Sequence, residues 1–203
     1  MSLDIGVVIP AHPARIANGM VDRAIHSVWA QKLQPAELHV AVDRGGEGAW
    51  GTRERGLRAV RSEWTAFLDS DDELMPHHLR ALALYAHRTG ADYVYSYYMV
   101  KDAIGRPRPE VDPLHHFGET FDPADPIQTT ITMLVRTELA QAVGFQPPPI
   151  DDTVGGQRYG EDYQFTLGCV AAGAHIVHLP QRTWWWHHHG LNTSGLPGQG
   201  DAA

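Results

Sequence analysis

The chain has 203 residues, of which 43% are hydrophobic and 20% are charged, and its formal net charge at neutral pH is -8. This much apolar material predicts a folded core and excludes a disordered or fibrous protein, while the length favours one domain. Proteins that bind nucleic-acid phosphates need clustered Lys and Arg, and the 16 basic residues here form no run. The composition therefore argues against nucleic acid as a partner.

The sequence also carries an expectation about compartment. No apolar stretch approaches the roughly 18 residues that cross a bilayer, and the start lacks the basic and apolar regions of a signal peptide. The one cysteine, Cys169, lies among apolar residues and has no partner for an internal disulfide. We expect a cytoplasmic protein with no membrane segment and a buried structural thiol.

Strands and helices are predicted to alternate over the first hundred residues. Short apolar runs indicate buried strands, and apolar residues at helical spacing indicate helices. Pro76 suits the first turn of a helix and Gly90 its end. In chain order the predicted elements are a strand over 5–10, a helix over 21–31, a strand over 38–42, a helix over 52–60, a strand over 65–68, a helix over 76–90 and a strand over 93–100.

The second half has longer connections. Residues 101–126 are rich in Pro, Asp and His, and they predict an active-site flap that is mobile without ligand. Residues 145–160 form a second connection rich in Pro and Gly. The remaining predicted elements are a strand over 129–135, a helix over 137–143 ended by Gly144, a helix over 161–172, and strands over 175–179 and 183–187. We expect one domain over 1–195 and a disordered tail over 196–203.

Acidic residues cluster where the strand at 65–68 ends. Asp69, Asp71, Asp72 and Glu73 follow it directly, with Ser70 among them. The alternating elements predict a mainly parallel three-layer α/β sheet, and ligands of such sheets bind at the carboxyl ends of the strands. Carboxylates are suitable ligands for Mg²⁺ or Mn²⁺ beside a diphosphate. The same residues also favour turns and helix starts, so the motif leaves both interpretations open.

Two other groups carry candidate chemistry. Glu161 and Asp162 open a predicted helix, where the helix dipole favours acids and an ionised carboxylate can act as a general base. His187, His188 and His189 follow three tryptophans. In an extended chain His187 and His189 face the same way, and an imidazole suits Mn²⁺ beside carboxylates. A surface histidine cluster is the alternative.

Five segments together resemble the family-two-type GT-A glycosyltransferases in their order and spacing. They are the strand end at 7–10, the Arg-x-x-Gly at 53–56, the acidic motif at 67–72, Val-Gly-Phe at 143–145 and Gly-Glu-Asp at 160–162. The resemblance covers nearly the whole chain. It implies the three-layer GT-A fold of nucleotide-diphospho-sugar transferases, an α/β fold with a mainly parallel mixed sheet.

The resemblance also implies an activity: metal-dependent, inverting transfer of one sugar from a nucleoside diphosphate sugar to an acceptor hydroxyl. We expect a UDP-sugar donor and Mn²⁺ or Mg²⁺ as cofactor. Asp162 would be the catalytic base with Glu161 beside it, and Asp71 would hold the metal with His187 or His189. The implied nucleotide-binding residues are Pro10, Ala11, His12, Asp43, Arg53, Asp69, Ser70 and Asp71.

The sequence departs from the family pattern at three places. Asp43 stands alone where paired acids often follow the second strand, and Arg53-Glu54 replaces the usual Arg-Asn. Residues 181–185 only half resemble the Gln-x-x-Arg-Trp signature of processive synthases, because Arg is missing at the fourth place, and this favours transfer of a single sugar. Two alternatives stay open: a nucleotidyltransferase, although residues 11–15 are not a Gly-rich loop, and a non-catalytic metal-binding or sugar-binding module suggested by the histidines.

Overall fold

The computed structural model describes residues 4–109, 117–124, 126, 129–147, 153–154, 157–158, 160–189 and 192. The predicted tail and residues 110–116 and 125 of the predicted flap lie outside this part of the chain. The elements in chain order are β1 (Ile5–Ala11), α1 (Pro13–Ala17), α2 (Met20–Trp29), β2 (Glu37–Val42), α3 (Gly48–Ala59), β3 (Trp64–Phe67), β4 (Glu73–Leu74), α4 (His78–Thr89), β5 (Tyr93–Lys101), β6 (Met133–Arg136), α5 (Thr137–Val143), β7 (Thr153–Val154), β8 (Gln157–Arg158), α6 (Glu161–Ala171) and β9 (Ile176–His187).

Seven of the strands form one sheet, in the order β2-β1-β3-β6-β5-β9-β4. Strands β1, β2, β3, β5 and β9 run in one direction, and β6 and β4 run against them. The predicted mainly parallel mixed sheet is therefore confirmed. Strands β7 and β8 form a separate two-stranded hairpin, and no helix within the described ranges is long and apolar enough to cross a bilayer.

The sheet is covered by helices on both faces. Successive side chains of a strand point to opposite faces, and in β1 Val7 and Ile9 pack in one apolar cluster while Val8 packs in another. The first cluster contains residues of α2 and α4, and the second contains residues of α3, α5 and α6. This arrangement gives three layers and leaves the carboxyl ends of β1, β2 and β3 open to one side.

The end of the chain differs from the prediction of two strands over 175–179 and 183–187. The structure has one strand, β9, which pairs with β5 along its length. The register shifts between Tyr95, which is opposite His178, and Tyr97, which is opposite Arg182. The interruption near Pro180 is therefore an irregularity within one strand, because the extra residues of β9 are accommodated without a reversal of the chain.

Short elements were also missed. Helix α1 has five residues and β4 has two, so neither repeats a pattern often enough to be recognised. Strand β4 lies within the acidic motif, where Glu73 and Leu74 pair with Trp185 and Trp184 of β9. The strand predicted over 129–135 contracts to β6, which begins at Met133.

The Arg-x-x-Gly segment of α3 sets how closely this helix approaches β1. A Cβ atom at Gly56 would lie 2.5 Å from Cγ1 of Val8, so any larger residue requires β1 or α3 to move. Arg53 lies one turn earlier on the same helix and reaches Asp69 beyond the end of β3. Close packing at Gly56 therefore positions the guanidinium of Arg53.

We expect Gly56→Ala to lower the free energy of unfolding by about 1–2 kcal/mol, because overpacking costs more than the gain in helix propensity. The measurement is urea denaturation, with Val8→Ala as the matched control. The double variant Val8→Ala/Gly56→Ala should lose clearly less than the sum of the single losses, since removing the Val8 methyls makes room for the new Cβ. Additive losses would show that this contact does not set the helix position.

Candidate active site

A cleft of about 370 Å³ lies at the carboxyl ends of β1, β2 and β3. Strand β1 contributes Pro10 and Ala11, Asp43 follows β2, and Asp69 follows β3. The structure therefore brings together residues that are far apart in the sequence and that were predicted to bind a nucleotide. The predicted residues on its walls are Pro10, Ala11, His12, Asp43, Arg53, Asp69 and His189.

Helix α1 forms one wall of the cleft, with Ala14 and Arg15 facing it. The helix begins after His12, whose Nδ1 accepts a hydrogen bond from the amide of Ala14 at 3.2 Å. Pro13 occupies the first turn, where its missing N–H costs nothing. The imidazole of His12 is thus a helix cap at the rim of the cleft.

The Asp43 carboxylate shapes the opposite wall. Its Oδ1 accepts hydrogen bonds from the amides of Gly45, Gly46 and Glu47, at 3.2, 2.8 and 3.1 Å, and its Oδ2 accepts one from Gly48 at 3.1 Å. Burial works against ionisation, but these four donors lower the pKa of Asp43 below its usual value. Asp43, which was predicted to bind the nucleotide, therefore holds the loop that leads into α3.

Three carboxylates crowd together beyond β3. Oxygens of Asp69, Asp71 and Asp72 all lie within 4.8 Å of one another, and Asp71 and Asp72 are buried. Burial, followed by the charges of Asp71 and Asp69, raises the pKa of Asp72 well above its usual value. Three hard oxygen donors in so small a space fit Mg²⁺ or Mn²⁺, which would also relieve their mutual repulsion.

The carboxylate of Asp71 is contacted by an arginine and a histidine. Its Oδ2 lies 2.9 Å from Nη2 of Arg15 and 3.0 Å from Nε2 of His189. Arg15 Nη1 also lies 3.4 Å from the hydroxyl of buried Ser70, and Arg23 donates to the Asp71 carbonyl at 2.6 Å. The predicted pair of Asp71 and His189 is brought together. The two arginines were missed. For Arg15 the available signal was its place just after the first strand, at the end of the sheet where ligands bind.

His187 lies elsewhere. Its Nε2 is 2.5 Å from Oε2 of Glu73, which also accepts from Nζ of Lys101 at 2.6 Å. The backbone amide of His187 donates to Oδ1 of Asp72 at 3.0 Å. Strand β9 ends at His187, so the alternation of side chains does not extend to His189. The structure therefore separates the two predicted metal-binding imidazoles.

Arg53 joins the cleft to the start of α6. This buried guanidinium lies 2.5 Å from Oδ1 of Asp69 and pairs through its other terminal nitrogen with Glu161. Burial favours the neutral form, but the charges of Asp69 and Glu161 raise the pKa of Arg53 above its usual value. Since Arg53 stays charged, it fixes the distance between the acidic motif and the acids of α6.

The neighbouring Glu54 explains two features of the sequence. Its carboxylate lies 2.6 Å from Nε of Arg58 and accepts a hydrogen bond from the amide of Phe145 at 2.8 Å. Gly144 has a φ of 67°, and a Cβ there would meet this ion pair at 3.1–3.2 Å. The Glu that replaces the usual Asn therefore holds the turn after α5 rather than the cleft.

Asp162 is not among the residues that line the cleft. Its Oδ1 accepts a hydrogen bond from the amide of Tyr163 at 2.8 Å. Burial raises the pKa of Asp162, the charge of Arg53 opposes this, and the net result is a raised pKa. A partly buried carboxylate of raised pKa is a better proton acceptor than an exposed one.

Comparison with known proteins gives the family and the fold. The sequence profile described as Glycosyl transferase family 2 matches residues 22–137, more than half of the chain. No curated protein sequence matches the chain significantly.

Crystal structures of S. aureus TarS have the same fold. The structure of TarS 1-349 in complex with UDP has a TM-score of 0.65 at 18% identity over 91% of this chain and 60% of that one. The structure in complex with UDP-GlcNAc has a TM-score of 0.64 at 15% identity over 97% and 61%. The chain thus spans about three fifths of these relatives. The predicted GT-A fold is confirmed, and the chain belongs to glycosyl transferase family 2.

Proposed function

We propose that this protein is a metal-dependent, inverting glycosyltransferase that moves one sugar from a UDP-sugar to an acceptor hydroxyl. The observation that carries the proposal is the buried Arg53, which ties Asp69 on the cleft to Glu161 beside Asp162. Arg53 thereby connects the residues proposed to bind the donor with the helix start that carries the proposed base. Family membership favours glycosyl transfer over nucleotidyl transfer, and the UDP and UDP-GlcNAc complexes of TarS support the donor class.

Donor binding follows from the walls of the cleft. Its volume of about 370 Å³ suits the nucleoside part of the donor. The uracil lies against the end of β1 and the loop that Asp43 holds, while Asp69 reaches the ribose. Because Asp43 already accepts four backbone amides, the base is recognised chiefly through the shape of this loop.

The metal-binding residues are Asp71, its neighbours Asp69 and Asp72, and His189. These residues would hold Mg²⁺ or Mn²⁺, and such an ion would supply stabilisation of the negative charge on the departing diphosphate. Arg23 supports this set by holding the carbonyl of Asp71 at 2.6 Å. His187 and Glu73 instead anchor the end of β9 beside the acidic motif.

Asp162 performs the proton transfer. The acceptor oxygen attacks the anomeric carbon as the bond from that carbon to the diphosphate oxygen breaks, and the acceptor proton passes to the Asp162 carboxylate. Attack from the face opposite the leaving group inverts the configuration. Glu161 orients the helix start through Arg53, so it is a positioning residue rather than the base.

Donor binding should depend on the metal. UDP should bind wild-type protein at least about tenfold more tightly with Mn²⁺ than with chelator, because the acidic cleft otherwise repels an anionic ligand. Asp71→Ala should remove this difference, as measured by calorimetry. Asp22→Ala, an exposed acid on α2 with the same change of charge, is the control. Equal UDP affinity with and without chelator in wild type and Asp71→Ala would refute the role of Asp71.

Removal of the base should separate catalysis from binding. Asp162→Asn keeps the size and most hydrogen bonds of the side chain, so UDP affinity should persist while turnover falls by roughly 10²- to 10⁴-fold. The measurements are donor binding, transfer rate and melting temperature of the same preparation. A protein that is destabilised but fully active would assign Asp162 to helix capping alone.

The pH dependence of turnover gives an independent test. Because Asp162 must be ionised to accept a proton and its pKa is raised, activity should be lost as the pH falls through a value above the usual 3.8 of an aspartate. Glu161 contributes to this rise, so Glu161→Gln should move the acid limb to lower pH. Its turnover at high pH should fall far less than that of Asp162→Asn. An unmoved acid limb would contradict the assignment.

A further inference from the structure

Arg15 makes a contact that a metal ion in this site would have to replace. The residue lies on α1, lines the cleft, and places Nη2 at 2.9 Å from Oδ2 of Asp71. His189 contacts the same oxygen at 3.0 Å. The Arg15 side chain is 28% exposed, whereas that of Asp71 is 7% exposed. The arginine therefore reaches a buried carboxylate from the solvent side.

The charges explain why this contact forms. The oxygens of Asp69, Asp71 and Asp72 lie within 4.8 Å of one another, and such crowding needs positive charge nearby. Arg53 supplies it to Asp69, and Arg15 supplies it to Asp71. An arginine keeps its charge at any physiological pH, so it cannot make way for a cation by losing a proton. It has to move.

Arg15 is also the arginine of this site that is free to move. Arg53 is buried between Asp69 and Glu161, and Arg23 is engaged with the backbone of Asp71. Arg15 stands on a helix of five residues, none of them buried, and its second contact, to Ser70, is long at 3.4 Å. Because Arg15 already lines the cleft, its guanidinium can leave Asp71 and remain within the cleft.

We propose that Arg15 exchanges partners during donor binding: it holds Asp71 when no metal is bound, and it binds the diphosphate of the donor once a divalent cation has taken Asp71. The inference rests on the proposed function and adds the anion-binding residue to it. A guanidinium with five N–H donors suits paired phosphate oxygens. The exchange couples the binding of the two ligands. The cation takes Asp71 away from Arg15, and the diphosphate then provides Arg15 with a new anionic partner.

Arg15→Ala should have opposite effects on the affinities for Mn²⁺ and for UDP. In Arg15→Ala, Mn²⁺ alone should bind about 5- to 10-fold more tightly, since no arginine competes for Asp71. UDP in saturating Mn²⁺ should bind about tenfold more weakly, since a diphosphate contact is lost. Arg15→Lys, which keeps the charge but not the paired donors, should change both affinities in the same directions and by less.

The experiment titrates the full chain with Mn²⁺ by electron paramagnetic resonance and with UDP by calorimetry. Arg80→Ala is the matched control, because Arg80 is exposed on α4, does not line the cleft, and its removal changes the net charge equally. Both affinities of this control should stay within about twofold of wild type. Circular dichroism of Arg15→Ala verifies the fold.

Several results would overturn the exchange. They are Mn²⁺ affinity that is unchanged or weaker in Arg15→Ala, no Mn²⁺ binding to either protein, equal changes in Arg80→Ala, or UDP affinity that is the same in Arg15→Ala as in wild type. The last result would leave the proposed function standing. Wild-type protein that binds no UDP at any metal concentration would instead contradict the proposed function itself.

Discussion

The crowding of negative charge beyond β3 is the constraint on which the rest of the site depends. Asp69, Asp71 and Asp72 hold oxygens within 4.8 Å of one another, and like charges this close, in partly buried positions, repel one another and are stabilised by nearby cations. Arg53 from α3 and Arg15 from α1 provide compensation from two sides. The helices around the cleft are therefore tied to the acidic motif by charge as well as by apolar packing.

The positive charge of Arg53 acts both on the cleft and on the proposed base. Arg53 is shared between Asp69 and Glu161, and its charge also opposes the rise in the pKa of Asp162. Arg53 is therefore in electrostatic contact both with Asp69 on the cleft and with the proposed base. On the other side, Arg15 contacts Asp71, the carboxylate proposed to hold the metal. Arg53 is thus placed near the proposed base, and Arg15 near the proposed diphosphate site.

Local patterns predicted the alternating elements well, because apolar spacing and residues such as Gly90 and Gly144 act within a few positions of the helix that they end. They could not predict contacts between distant segments. Arg15 meets Asp71 and His187 meets Glu73 only after the sheet has formed, and the alternation expected for the histidines stops where β9 stops. The residues facing the cleft were predictable from strand ends, whereas their pairing was not.

The most direct test of the account is nucleotide release from a panel of nucleoside diphosphate sugars, measured with Mn²⁺ and again with chelator, in the presence of varied hydroxyl acceptors. The account predicts release of UDP from at least one UDP-sugar, dependent on the metal and stimulated by an acceptor. Release that is equal with chelator, or no release from any donor by protein that binds UDP, would contradict it.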